Sequence, residues 1–204
     1  MSLHLLNLTE KAAYKVSRLA SRVIGLQHLG RNSVIMLPFT KIQGPQYISI
    51  GDESYIGRGV YFSVSDTYGE CKYTPKLVIG NRVQIGNYLT VACINLIEIG
   101  DDVMMSDRVF IGDCKHGFAD PLLPVARQPL VSKGPVKIGD GAFIGINAVI
   151  MPRVRIGAHA AVGASSVVAR DVPTYGVVAG NPAQLVKYYD QKTGRWLRAG
   201  AQRV

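Results

Sequence analysis

Residues 138–167 read IGDGAF IGINAV IMPRVR IGAHAA VGASSV, and their period decides the fold. An aliphatic residue opens each hexad, at Ile138, Ile144, Ile150, Ile156, Val162 and, one step on, Val168. Four places later the residue is small or aliphatic: Ala142, Ala148, Val154, Ala160, Ser166 and Val172. Six is even, so in extended chain both positions fall on one face; it is no multiple of 3.6, so a continuous helix is a poor host. A short strand in each hexad, closed by a turn, predicts a triangular coil of about eighteen residues, with coils stacked about 4.8 Å apart. Aliphatics then form inner columns, and Gly, Asn and Asp serve the corners where left-handed backbone is needed. The expected fold is all-β, a parallel β-solenoid stabilised between neighbouring coils.

Working outward, the same form recurs in IGDESYIGRGVY from Ile50, IGNRVQIGNYLTVACINL from Ile79 and IGDDVMMSDRVFIG from Ile99. The frame slips by two between Val91 and Ile99, which a corner bulge absorbs. Two stretches leave the pattern, 63–76 and the longer 113–137, DCKHGFADPLLPVARQPLVSKGPVK. A loop that long in a compact solenoid is either functional or disordered, and its Leu, Val and Phe content predicts that it packs against something, a neighbouring subunit being one candidate. Residues 3–30 are expected to be helical, with Lys11, Lys15, Arg18 and Arg22 on one stripe. Such a helix fits either a cap over the open end of the solenoid or peripheral contact with an acidic membrane. Residues 183–198, AQLVKYYDQKTGRWLR, are expected to form a short C-terminal helix or arm. The chain thus divides into a helical segment and capping coil (1–47), the β-helix (48–172) and a closing motif with its arm (173–204).

Composition agrees with many short strands. The 204 residues are 48% hydrophobic but only 8% aromatic, with 18% charged and 22 glycines. Three cysteines without metal or paired spacing point to a reducing compartment. Glu10 and Lys11 break any signal-peptide-like run, and no segment reaches transmembrane length, so the expected location is cytoplasmic. The net charge is +9, and the stretch from Met151 onward holds eight Lys/Arg against two Asp. That bias suits an anionic ligand or an acidic membrane; with no aromatics between the basic residues, nucleic acid is not expected.

His116 stands where the chain leaves the coil, next to Asp113 and at the mouth of the long loop. An imidazole titrating near neutrality suits a general base that takes a proton from a hydroxyl. Small residues at Gly145, Gly163 and Ala164 leave an outer groove for a long thin arm, and Arg170 and Lys187 suit phosphates. Tyr68 and Tyr73, in the first insertion, are candidates for an acceptor cleft. His4, His28 and His159 have ordinary structural readings. Cys114 beside His116 is too little for a metal site or a cysteine nucleophile.

The hexapeptide signature resembles the left-handed β-helix acyltransferases, and the left hand is implied by that resemblance alone. Within them, IGDCKHG resembles the D-H-x-H-G element of the sugar O-acetyltransferases related to maltose and galactoside acetyltransferases. The second histidine, that family's base, maps onto His116; the first is Cys114, a departure. Residues 141–187, ending in Gly180-Asn181-Pro182-Ala183, are similar to the family's acetyl-CoA-binding coils. The correspondence implies a backbone N–H of Ile146 near the thioester carbonyl and Ala164 against the pantetheine. It also places Phe143 where the family has Trp, Ala169 where it has Thr and Gln184 where it has a basic residue.

The resemblance further implies acetyl-CoA as donor, no metal, a sugar hydroxyl as acceptor and a homotrimer with each site between two subunits. Asn87 matches a family asparagine that touches the sugar, and equally a turn residue. The expected function is O-acetylation in surface-polysaccharide or glycolipid biosynthesis. A drug hydroxyl or a sugar-nucleotide amine stays open as acceptor, and a non-catalytic scaffold stays open as a class. Zinc hydration chemistry needs three converging imidazoles, and the four histidines are not spaced to supply them.

Overall fold

The computed structural model describes residues 8–200; the start of the expected 3–30 helix and His4 lie outside them. The chain visits three parallel sheets in rotation. Strands His28–Leu29, Ile48–Ile50, Lys76–Ile79, Leu96–Ile99, Val136–Ile138 and Arg155–Ile156 stack as the first sheet. The second runs from Val34–Ile35 to Ala161–Val162 and Gly176–Gly180, and the third from Lys41–Gln43 to Val167–Val168. In the uninterrupted coils Ile138 pairs with Ile156, Ile144 with Val162 and Ile150 with Val168, each eighteen residues on. These are the repeat openers read from the sequence, and all are buried.

The core is three columns of side chains along the prism. Ile50, Ile79, Ile99, Ile138 and Ile156 fill the first, and Ile35, Ile56, Ile85, Met105, Ile144 and Val162 the second. Phe62, Val91, Ile111, Ile150 and Val168 fill the third. Burying each aliphatic side chain contributes about 1.5–3 kcal/mol, so every regular coil adds several such increments. The two-residue slip falls in the turn between Thr90–Cys93 and Leu96–Ile99.

The corners differ from expectation in one respect. Left-handed backbone falls on Arg82, Tyr88, Arg108, Arg153, His159 and Tyr175 as well as on Asn32, Asp102 and Asn147. The glycine after each aliphatic is there for space. A Cβ on Gly139 would lie 2.6 Å from the Ala158 nitrogen, and one on Gly145 2.6 Å from the Ala164 nitrogen. Asp and Asn instead form ladders along the prism edges. The Arg31 N–H donates to Asp52, Asp52 to Asn81, Asn81 to Asp101 and Asp101 to Asp140, at 2.7–2.9 Å.

Both ends correct the sequence reading. The helix spans Leu8–Val23 rather than reaching residue 30; Gly25, at φ 87°, turns the chain into strand His28–Leu29. Residues 183–198 are not helical. Strand Ala183–Asp190 pairs antiparallel with Gly176–Gly180, and Arg195–Arg198 pairs with it in turn. The last coil leaves an open sheet edge, and the chain reversing at Gly180 supplies the missing hydrogen bonds. Tyr188, Tyr189 and Trp196 suit strands, and Asp190 closes the hairpin by accepting from Lys192 N–H and Thr193 Oγ1.

Candidate active site

The two insertions leave the prism at the same edge, where chain passes from the third sheet to the first, and they are tied to each other. Tyr73 Oη donates to the Leu130 carbonyl (3.1 Å) and accepts the Leu130 N–H (3.0 Å). Tyr68 Oη donates to the Ala126 carbonyl at 2.9 Å. Inside the long loop, buried Gln128 donates to the carbonyls of Asp120 and Leu123 and accepts the Asp120 N–H. The loop is therefore a built feature, with Phe118, Leu122 and Val125 held on its exposed outer side.

His116 ends strand Cys114–His116, which pairs antiparallel with Leu130–Ser132 at the base of the loop. The imidazole is exposed, with Tyr68 edge-on to it at 5.4 Å between ring centroids. It lines a cleft of about 660 Å³ over the outer face of the third sheet, with Ser63, Ser65, Thr67 and Thr90. Lys41, Gln43 and Tyr61 close the far end, and among the described residues no carboxylate lines it. Such a wall offers hydroxyl donors and acceptors to a neutral polyhydroxylated ligand.

Asp113 does not orient the imidazole. Its carboxylate is fully buried and accepts the N–H groups of Ile94 (3.0 Å) and Asn95 (2.9 Å) with the Cys93 thiol. It clamps the corner from which the loop departs. Burial, with Asp113 next, pushes the Cys114 thiol up to about 12, so it stays protonated and is a poor nucleophile.

On the C-terminal side of His116 the same edge carries a second cavity, of about 580 Å³, lined by Lys115, Lys133, Arg153 and Arg170 and by Asp171. Lys115, Met151 and Pro152 line both cavities, so His116 stands beside the passage between a hydroxyl-rich cleft and a cationic trench. Sequence reasoning named Arg170 but missed Lys115, Lys133 and Arg153. They come from the long loop and an adjacent corner, and only stacking of the coils gathers them. Lys187 is elsewhere: it lies in the strand that extends the second sheet, its ammonium 5.0 Å from the Trp196 ring centroid.

Phe143, Gly145, Ile146 and Ala164 lie away from His116. Exposed Phe143 is in the second sheet, and Gly145, Ile146 and Ala164 form the edge between the second and third sheets. Ile146 opens the turn that precedes strand Val149–Ile150 and Met151 follows that strand, so the two lie at successive corners of one coil, and one chain alone does not bring His116 to Ile146. Asn87 belongs to this far edge. Its Oδ1 accepts the Arg58 N–H (3.0 Å), and its own N–H donates to Asp107 (2.7 Å), so it is a rung of an Asx ladder. The ladder stops at Ile146 and Ala164, which have no side-chain acceptor. Among the described residues, the N–H groups of Asp107 and Ile146 therefore have no hydrogen-bond partner.

The profile of the bacterial transferase hexapeptide, six repeats, matches residues 135–170. The chain belongs to the hexapeptide-repeat transferase family. It is 33% identical over 130 residues to a putative lipopolysaccharide biosynthesis O-acetyl transferase of Escherichia coli, covering 60% of this chain and 66% of that one. The chain spans about half to two thirds of the length of the first curated relatives it matches. Among solved structures it is similar to a hexapeptide-repeat acetyltransferase of Vibrio cholerae complexed with acetyl-CoA, at 26% identity and TM-score 0.57, covering 91% and 80% of the two chains. A Bacillus cereus N-acyltransferase shares the fold at TM-score 0.68 and 24% identity, over 87% and 92%.

Proposed function

We propose that the protein is an acetyl-CoA-dependent O-acetyltransferase acting on a sugar hydroxyl in the assembly of a surface polysaccharide or glycolipid. One observation carries the reading: an exposed imidazole stands between a cleft walled by hydroxyl side chains and a trench walled by cations. The trench fits the phosphates of acetyl-CoA, and the cleft fits the acceptor. The coil winds left-handed in this reading, and the working unit is a homotrimer. A neighbour's edge then sets the unpartnered Ile146 N–H opposite His116, with Gly145 and Ala164 leaving room for the pantetheine and Asn87 facing the acceptor.

Chemically, His116 takes the proton of the acceptor hydroxyl as its oxygen attacks the thioester carbonyl. The oxyanion of the tetrahedral intermediate is held by backbone N–H, a donor of a kind that contributes about 10²–10³ in rate. The intermediate collapses with loss of the C–S bond, and the imidazolium returns its proton to the departing thiolate. The products are an acetyl ester and CoA. His116→Ala is expected to cut turnover by about 10²–10⁴ while acetyl-CoA binding, read by calorimetry, persists. Undiminished transfer by that variant would defeat the proposal.

A further inference from the structure

The N-terminal helix presents a buried serine stripe, an apolar stripe and a cationic stripe, and of the cationic one Arg18 also donates to Asn32 Oδ1 at 3.0 Å. Ser17 and Ser21 are buried and lock its rotation: Ser21 Oγ accepts the Ile35 N–H (2.9 Å), and Ser17 Oγ accepts the Leu37 N–H (3.1 Å). Held this way, the helix turns its apolar stripe outward, with Val16 60%, Leu19 66% and Val23 78% exposed. Those residues, with Ala12, follow i, i+4, i+7, i+11 spacing. Lys11, Lys15, Arg18 and Arg22 repeat that spacing one residue earlier, so a cationic stripe adjoins the apolar one. Turning the apolar stripe inward would break the serine contacts.

We infer that this helix docks the protein on an anionic lipid surface, the apolar stripe entering the headgroup boundary and the cationic stripe meeting lipid phosphates. Apolar and basic stripes side by side are the pattern of an interfacial helix. Charge complementarity favours lipid over a second copy of the chain, because Lys and Arg outnumber Asp and Glu by 23 to 14. The placement also has a consequence for the cleft. Lys41 and Gln43, at its far end, belong to the same first coil that holds the helix, so docking brings that end beside the headgroups.

The test is sedimentation of the full chain with phosphatidylcholine vesicles, with and without phosphatidylglycerol. Two variants accompany it, Leu19→Ser with Val23→Ser and Lys15→Glu with Arg22→Glu, with light scattering and thermal melts of each. The expected result is binding to the anionic vesicles only, weakened by salt, and a fall of at least about tenfold in partition for both variants. Oligomeric state and melting temperature should not change. Absence of binding by the unmodified chain, or equal binding by the variants, would overturn the inference. So would variants that dissociate the oligomer, since the stripe would then belong between copies. The readout is binding, so it stands or falls separately from the proposed acetyl transfer.

Discussion

Tyr68 meets His116 edge-on, ring planes at 69°, while its hydroxyl holds the Ala126 carbonyl in the single 3-10 turn Val125–Arg127 of the long loop. One residue of the first insertion thus braces both the imidazole and the second insertion. Tyr68→Phe keeps the ring contact and loses the tether, and should lower turnover only about two- to tenfold. Tyr68→Ala loses both and should cost about 10–100-fold through misplacement of the base. Steady-state kinetics on the two variants separate the effects; Tyr68→Ala with full activity would remove Tyr68 from the site.

Asp113 should matter to stability rather than to proton transfer. Asp113→Ala strands the buried N–H of Ile94 and removes the acceptor of the Asn95 N–H, and is expected to cost about 1–3 kcal/mol in urea unfolding. Asp113→Asn retains one acceptor oxygen and should cost less.

The trench residues make a different kind of prediction. Lys133→Glu with Arg153→Glu places negative charge where phosphates are expected, so KM for acetyl-CoA should rise about tenfold or more. Turnover at saturation should change by less than about twofold. The defect should shrink in high salt, as for any exposed charge. Kinetics at two ionic strengths check both statements.

Burial raises the Cys114 and Cys93 thiols, with Asp113 as a second cause, whereas Cys71 is exposed. Iodoacetamide at pH 8 should therefore label Cys71 first in the folded protein, which mass spectrometry reads directly. The same shifts set the sign of the alkaline limb. A raised folded-state value contributes stability that is complete below the ordinary thiol value near 9 and is lost as pH climbs towards 12. Cys114→Ser should move the alkaline unfolding transition, followed by circular dichroism, to higher pH.

Much of this molecule can be read along one dimension. A period of six, carried by Ile138 through Val168, specifies inward columns and the positions of both insertions, because alternation in a strand is a local rule. The C-terminal hairpin was not legible in this way. AQLVKYYDQKTGRWLR has no alternation strong enough to exclude a helix, and its strands exist because the last coil leaves an edge to pair. The glycines were legible as corners but not in their role, since the obstacle to a Cβ at Gly145 is backbone from the coil eighteen residues away.

The candidate site divides along the same line. His116 stood out in sequence because it follows a break in the repeat, and Arg170 because a cation near a groove of small residues suits phosphates. Stacking alone gathers Lys115, Lys133 and Arg153 around Arg170, turns Asp113 inward away from the imidazole, and sets Ile146 on the opposite edge of the sheet. Sequence by itself determined the coil, because its cause is the alternation of neighbours along the chain. Tertiary structure decided which side chains share a cavity, because those neighbours arise only when successive coils lie one upon another.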